Sequence, residues 1–107
     1  MANMMKLMKQ AAAVQKDMER LQEQLAQRTV EFSSGGGAVK ATARGDGTLA
    51  CIRIDPAAVN SSEVELLQDM VVAAVNGAVH AAKEMGAQEM AKLTSSLGLP
   101  GMFGGKS

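Results

Sequence analysis

The spacing of apolar residues changes twice along the chain and divides it into three parts. In the first part, apolar residues recur at alternating spacings of three and four, which is the a/d seam of a heptad pattern. These positions are Met4, Leu7, Ala11, Val14, Met18, Leu21 and Leu25. Glycine and proline are absent from residues 1–30, so the pattern predicts one helix of about 25 residues and roughly 38 Å. A rod of this length should project in part from a small core, or pair with a second chain.

The middle of the chain alternates with a period of two, which is typical of strands. Three such segments cover 29–33, 38–44 and 48–54, and the turns between them contain Gly35–Gly37 and the Gly-Asp-Gly at 45–47. The expected inward faces carry Val30 and Phe32, then Val39, Ala41 and Ala43, then Ala50, Ile52 and Ile54. The pattern predicts a three-stranded antiparallel sheet.

A second long helix should follow the sheet. Ser62 and Glu65 have the spacing of a capping box at its start, and the signal persists to about Leu93. Its apolar face is predicted from Val64, Leu67, Val71, Ala74, Ala78, Ala81 and Met85. Residues 70–75 are apolar all round, which indicates burial on two sides, one of them against a partner. We expect an α+β fold with one domain over 1–97 and a flexible Gly-rich tail over 98–107.

Composition favours a dimer. The 107 residues include no Trp, no Tyr and only two Phe, with nine Met among the apolar residues. A core of small side chains buries little area, and small domains with thin cores often oligomerise. The single cysteine, Cys51, suits a reducing cytoplasm and is expected to be semi-buried. We expect neither a signal peptide nor a membrane span, because the longest apolar run, 70–75, is short.

The sequence contains few side chains that could serve as catalytic or metal-binding groups. A phosphate-binding loop needs a helix after its glycines, whereas the glycines at 35–37 precede a strand. One histidine, His80, and one cysteine cannot make a catalytic triad or a structural zinc site. We therefore expect no enzymatic activity, no catalytic residue, no cofactor, no metal and no small-molecule substrate.

Basic residues on the helices are the remaining candidates for binding. The net charge is zero, but residues 1–54 hold eight Lys/Arg against five Asp/Glu. The spacing places four of these cations on one stripe of the first helix, opposite its apolar seam, with acidic residues interleaved. Two lysines on the second helix could join them at a shared tip. The six candidates for phosphate contact are Lys6, Lys9, Lys16, Arg20, Lys83 and Lys92. From these residues alone, an ordinary solvated helix face and weak, salt-sensitive binding of duplex DNA both stay open.

Four stretches in sequence order resemble the YbaB/EbfC family of bacterial nucleoid-associated proteins. They are "MKQAAAVQKDMERLQEQLA", "GGGAVKATARGDGTLACIRIDP", "ELLQDMVVAAVNGAVHAAKE" and "KLTSSLGLPGMF". The resemblance implies a tweezer-like homodimer in which two long helices flank a small antiparallel sheet. It also implies that the protein binds double-stranded DNA in the cytoplasmic nucleoid and affects nucleoid organisation and gene expression.

A second hypothesis is a dimeric adaptor that clamps a protein between its helices without binding DNA. Heptad seams and Met-rich surfaces suit protein partners equally well. Salt dependence separates the two hypotheses, because phosphate binding weakens steeply with salt whereas an apolar groove holds.

Overall fold

The computed structural model describes residues 2–96 and has the predicted order of one helix, three strands and a second helix. Its elements are α1 (Ala2–Gln27), β1 (Thr29–Ser34), β2 (Val39–Arg44), β3 (Leu49–Ile54) and α2 (Val64–Ser96), with short 3₁₀ turns at Gly35–Gly37, Pro56–Ala58 and Ser61–Glu63. Each strand lies within one residue of its predicted bounds at either end. The predicted flexible tail, 98–107, lies outside the described residues.

The strands form an antiparallel sheet in the order β1-β2-β3. The turn from β2 to β3 is held by the Asp46 carboxylate, which accepts hydrogen bonds from the backbone N–H of Thr48 at 3.0 Å and from its hydroxyl at 2.7 Å. These two bonds lower the pKa of Asp46. Gly47 follows with a φ of +94°, a conformation that suits glycine. The register between β2 and β3 shifts by a bulge at Thr42/Ala43.

Helix α2 covers the inward face of β1 and β2 and leaves β3 nearly uncovered. As predicted, Val39, Ala41 and Ala43 are fully buried, and they pack against fully buried alanines of α2. The alanines are Ala74, Ala78 and Ala82. Small side chains on both surfaces let the helix approach the sheet closely, but the resulting core is thin.

Two contacts hold β1 beneath α2. The Ser34 hydroxyl donates a 2.6 Å hydrogen bond to the backbone carbonyl of Met70. About two turns further along α2, the ring of Phe32 occupies the space where a side chain on Gly77 would lie. Because Gly77 has no side chain, α2 leaves room for the aromatic ring at this point.

The start of α2 differs from the predicted capping box. The Asn60 side chain accepts hydrogen bonds from the Ser62 backbone N–H at 3.0 Å and from the Ser62 hydroxyl at 2.8 Å. The Ser62 hydroxyl is therefore engaged upstream, and a 3₁₀ turn precedes the helix, which begins at Val64. Val64 is also exposed rather than part of the buried face.

Among the described residues, helix α1 packs on the rest of the fold through its C-terminal part. Leu21 and Leu25 are buried, whereas Met4 and Leu7 of the same seam are 69% and 62% exposed. The longest dimension of the molecule, 73 Å, exceeds the roughly 50 Å that the 33 residues of α2 span. The prediction that part of α1 projects from the core is thus confirmed.

Candidate nucleic-acid interface

The stripe of cations on α1 is exposed along its whole length. Lys6, Lys9 and Lys16 lie on the helix surface turned away from the seam that packs on α2, and Arg20 continues the stripe to the edge of the groove between the two helices. Among the described residues, the three lysines have no ion-pair partner within 4.0 Å. Arg20 differs, since its Nη1 lies 3.2 Å from the Asp17 carboxylate. The N-terminal half of the stripe therefore offers its charge to solvent, and the C-terminal half is partly neutralised.

Helices α1 and α2 run antiparallel where they meet, and a groove there brings two of the predicted cations together. Arg20 and Lys92 both line this groove, as do Asp17 and Glu89. Glu89 accepts from Arg28 at 3.1 Å and from Lys92 at 3.2 Å. These two hydrogen bonds, the one from Arg28 first, lower the pKa of the Glu89 carboxyl. Two of the three ion pairs at the groove therefore lie within a single helix, and the pair Arg28–Glu89 links α2 to the residue that follows α1.

Lys83 lies apart from the other candidates. It borders a separate hollow between the two helices and the β2–β3 turn, beside Gly45 and Asp46. The structure thus places four of the six predicted residues on one stripe and joins the stripe to Lys92 through the groove. It does not bring Lys83 to the same surface.

Sequence reasoning missed two cations on the sheet. Lys40 of β2 and Arg53 of β3 are exposed and occupy paired positions in the register. Both side chains point away from α2, because the alternate positions Val39 and Ala41 are buried beneath it. The alternation of β2 does indicate that Lys40 faces outward, but the β2–β3 register is needed to place Arg53 beside it.

The groups considered for catalysis or metal binding are dispersed. Within residues 2–96 no three His, Cys, Asp or Glu side chains cluster as metal ligands would. Cys51 is exposed, which corrects the expectation that it is semi-buried: its side chain lies on the outer face of the sheet, which nothing in the described chain covers. His80 is exposed on α2, with Nε2 at 3.3 Å from Glu84. No helix of the described part of the chain is long and apolar enough to cross a membrane.

The fold and the surface together define a small α+β protein with exposed basic faces that could bind a partner. Within residues 2–96 there is no enclosed site of the kind that catalysis or metal binding requires. Comparison with known proteins agrees with this class and identifies the family. The model of the YbaB/EbfC DNA-binding family matches residues 1–97. The chain belongs to this family, which is one of DNA-binding proteins and not of enzymes.

Similar proteins carry a matching description. A nucleoid-associated protein of Moorella thermoacetica is 54% identical over 94% of this chain and 97% of its own length. One of Pelotomaculum thermopropionicum is 52% identical over 94% and 96%, respectively. The crystal structure of an uncharacterized Helicobacter pylori protein shares the fold, with a TM-score of 0.73 and 23% identity over 81% of this chain and 91% of that one.

Proposed function

We propose that the protein is a homodimeric, cytoplasmic nucleoid protein that binds double-stranded DNA and thereby affects nucleoid organisation and gene expression. The observation that carries the proposal is the exposed stripe on α1, where Lys6, Lys9 and Lys16 have no ion-pair partner among the described residues. Family membership and the names of the relatives support DNA in the nucleoid as the partner.

Phosphate contact should be unequal among the six candidates. An unpaired lysine can neutralise a phosphate and release its counterion at no internal cost. Arg20 and Lys92 would first have to give up Asp17 and Glu89. We therefore assign most of the affinity to Lys6, Lys9 and Lys16, and a smaller share to Arg20, Lys83 and Lys92.

Dimerisation is supported by what a single chain leaves uncovered. Within the described part of the chain, five of the eight buried apolar residues are alanine, so the core of one protomer is small. Beside α2, the inward face of edge strand β3 exposes Ile52 and Ile54 by 37% and 40%, and Val72 of α2 is 56% exposed. A second copy placed on this face would cover the apolar side chains and shield the edge strand. It would also supply the second buried side that is predicted for residues 70–75.

The DNA proposal is tested by fluorescence anisotropy with a labelled duplex at several salt concentrations. Replacing Lys6, Lys9 and Lys16 by Gln should weaken binding and reduce the slope of log K against log[salt] by about 0.9 per lost contact. The matched control replaces the same three lysines by Arg, which keeps the charge and should keep the slope. Absence of binding by the unaltered protein at low salt would refute the function, and an unchanged slope in the Gln variant would refute the site.

The dimer proposal is tested by light scattering. The unaltered protein should have twice the protomer mass of 11.1 kDa. Replacing Ile52 and Ile54 by Lys should shift the mass toward the protomer, because two charges would then enter the apolar interface. Cys51→Lys, on the other face of the same strand, is the control and should leave the mass unchanged. A protomer mass for the unaltered protein would contradict the proposal directly.

The adaptor hypothesis is the second candidate, and the N-terminal part of α1 favours it. Met4, Met5, Leu7 and Met8 are each more than 60% exposed and would suit the apolar surface of a protein partner. A pull-down with and without nuclease separates the two functions. A partner retained after nuclease and in high salt supports the adaptor, whereas one lost under either condition was held through DNA.

A further inference from the structure

We propose that the outer face of the sheet is a second phosphate-binding surface for duplex DNA, centred on Lys40 and Arg53. This inference rests on the proposed DNA binding, but it concerns a different surface from the α1 stripe. The outer face here means the side of β1, β2 and β3 that is turned away from α2.

The register places the two cations side by side. Lys40 of β2 and Arg53 of β3 are direct cross-strand partners, and both are exposed. Directly opposite residues of an antiparallel pair have Cβ atoms about 4.5–5.5 Å apart, and like charges in this position destabilise the sheet. Among the described residues, neither cation has a carboxylate within 4.0 Å to relieve that repulsion. An anion bound between them would turn the repulsion into a favourable interaction.

The surroundings leave the pair accessible. The same face carries one carboxylate, Glu31, which pairs with Thr42 and is therefore only diagonal to Lys40. Arg44, further along β2, is engaged by the Thr48 hydroxyl at 3.4 Å, beside Asp46. The remaining positions on the face are small or hydroxyl-bearing: Thr29, Ser33, Thr42 and Cys51.

The side chains of this face favour duplex DNA over single-stranded nucleic acid. Phe32 lies on the inward face, and the chain has no Trp or Tyr, so within residues 2–96 the outer face has no aromatic platform for unstacked bases. Lys, Arg, Ser and Thr are the side chains that commonly contact the phosphates of a duplex. A sheet surface of this composition would contact the backbone of a duplex and read no base sequence.

The test is the double variant K40Q/R53Q, measured with the same labelled duplex and with the α1 stripe intact. Loss of two phosphate contacts should reduce the salt slope by about 1.8 and weaken binding roughly 10- to 100-fold at 0.1 M salt. Thermal stability should be unchanged or raised, because the like-charge pair is removed. Weaker DNA binding in a protein that is at least as stable cannot be attributed to unfolding.

Two matched variants complete the test. K40R/R53K keeps both charges and should keep the slope, whereas E31Q removes the one carboxylate of the face and should tighten binding. The inference is overturned if the unaltered protein binds the duplex but K40Q/R53Q binds with the same affinity and slope. That result would leave the α1 proposal standing, while failure of the unaltered protein to bind at low salt would overturn both.

Discussion

The contact between Phe32 and Gly77 predicts that one substitution, Gly to Ala, has opposite effects at two positions of α2. In an α-helix, Gly→Ala is normally stabilising by about 1 kcal/mol, because glycine loses more backbone entropy on folding. At Gly86 a new Cβ would meet only Gly45 O at 3.5 Å and Leu25 Cδ1 at 3.8 Å, which are ordinary contacts. Gly86→Ala should therefore realise most of the gain.

At Gly77 the same methyl group would occupy space filled by the Phe32 ring. The ring is 45% exposed, so it can swing outward, but it then gives up much of the area it buries on α2. The surface area of a phenylalanine side chain is about 200 Å². If about half of this area becomes exposed, the cost is up to about 2.5 kcal/mol at about 25 cal/mol per Å². After subtraction of the helix-propensity gain, Gly77→Ala should destabilise the fold by about 1–2 kcal/mol.

The measurement is thermal unfolding followed by circular dichroism, at one fixed protomer concentration because oligomerisation affects the midpoint. For a chain of this size each kcal/mol corresponds to about 4–8 °C, so the two variants should fall on opposite sides of the unaltered protein. In a Phe32→Ala background, Gly77→Ala should become stabilising, as at Gly86. If Gly77→Ala stabilises the protein even with Phe32 present, the packing argument is wrong.

Two further predictions concern other contacts. Ser34→Ala should cost about 1 kcal/mol in urea unfolding, because it removes the hydrogen bond to α2, whereas Ser33→Ala, on the exposed face, should stay within about 0.5 kcal/mol. Glu89→Gln should lower stability at neutral pH by weakening the bonds from Arg28 and Lys92. Since the folded-state pKa of Glu89 lies below its ordinary value of 4.5, this contribution is present above that value and fades as the pH falls through the lowered pKa. The unaltered and Gln proteins should therefore converge in acid, and a pH-independent difference would contradict the assignment.

The periodicity of the sequence predicted the elements well, because burial on one face leaves a regular mark. Alternation in β2 correctly predicted that Val39, Ala41 and Ala43 face the core. The start of α2 was predicted less well: Asn60 and Ser62 are both good capping residues, and only the path of the chain decides which one caps. Likewise, alternation placed Cys51 opposite the core face, but it could not indicate that the outer face is left uncovered.

Prediction of the candidate site was limited by a different cause. Residues at fixed sequence spacings lie on the same face of a helix. The stripe containing Lys9 and Lys16 could therefore be predicted without any tertiary structure. The pair Lys40 and Arg53 depends on the register of two strands, and a one-residue shift would send Arg53 to the other face. A turn and a bulge set that register, and neither is encoded in hydrophobic periodicity.

The zero net charge of the chain bears on DNA binding only through where the fold puts each charge. Glu65 lies in the first turn of α2, where the helix dipole favours a carboxylate. Glu89 forms ion pairs with Arg28 and Lys92 at the groove between the helices. Lys6 and Lys9, in contrast, lie on the part of α1 that projects from the core, and have no partner among the described residues. Electrostatic attraction between exposed charges is screened over about 10 Å at 0.1 M salt, so a DNA phosphate at the end of α1 responds to the local cations and hardly to distant carboxylates. A neutral protein can thus present basic surfaces where its carboxylates lie beyond the screening distance or are paired with other cations of the fold.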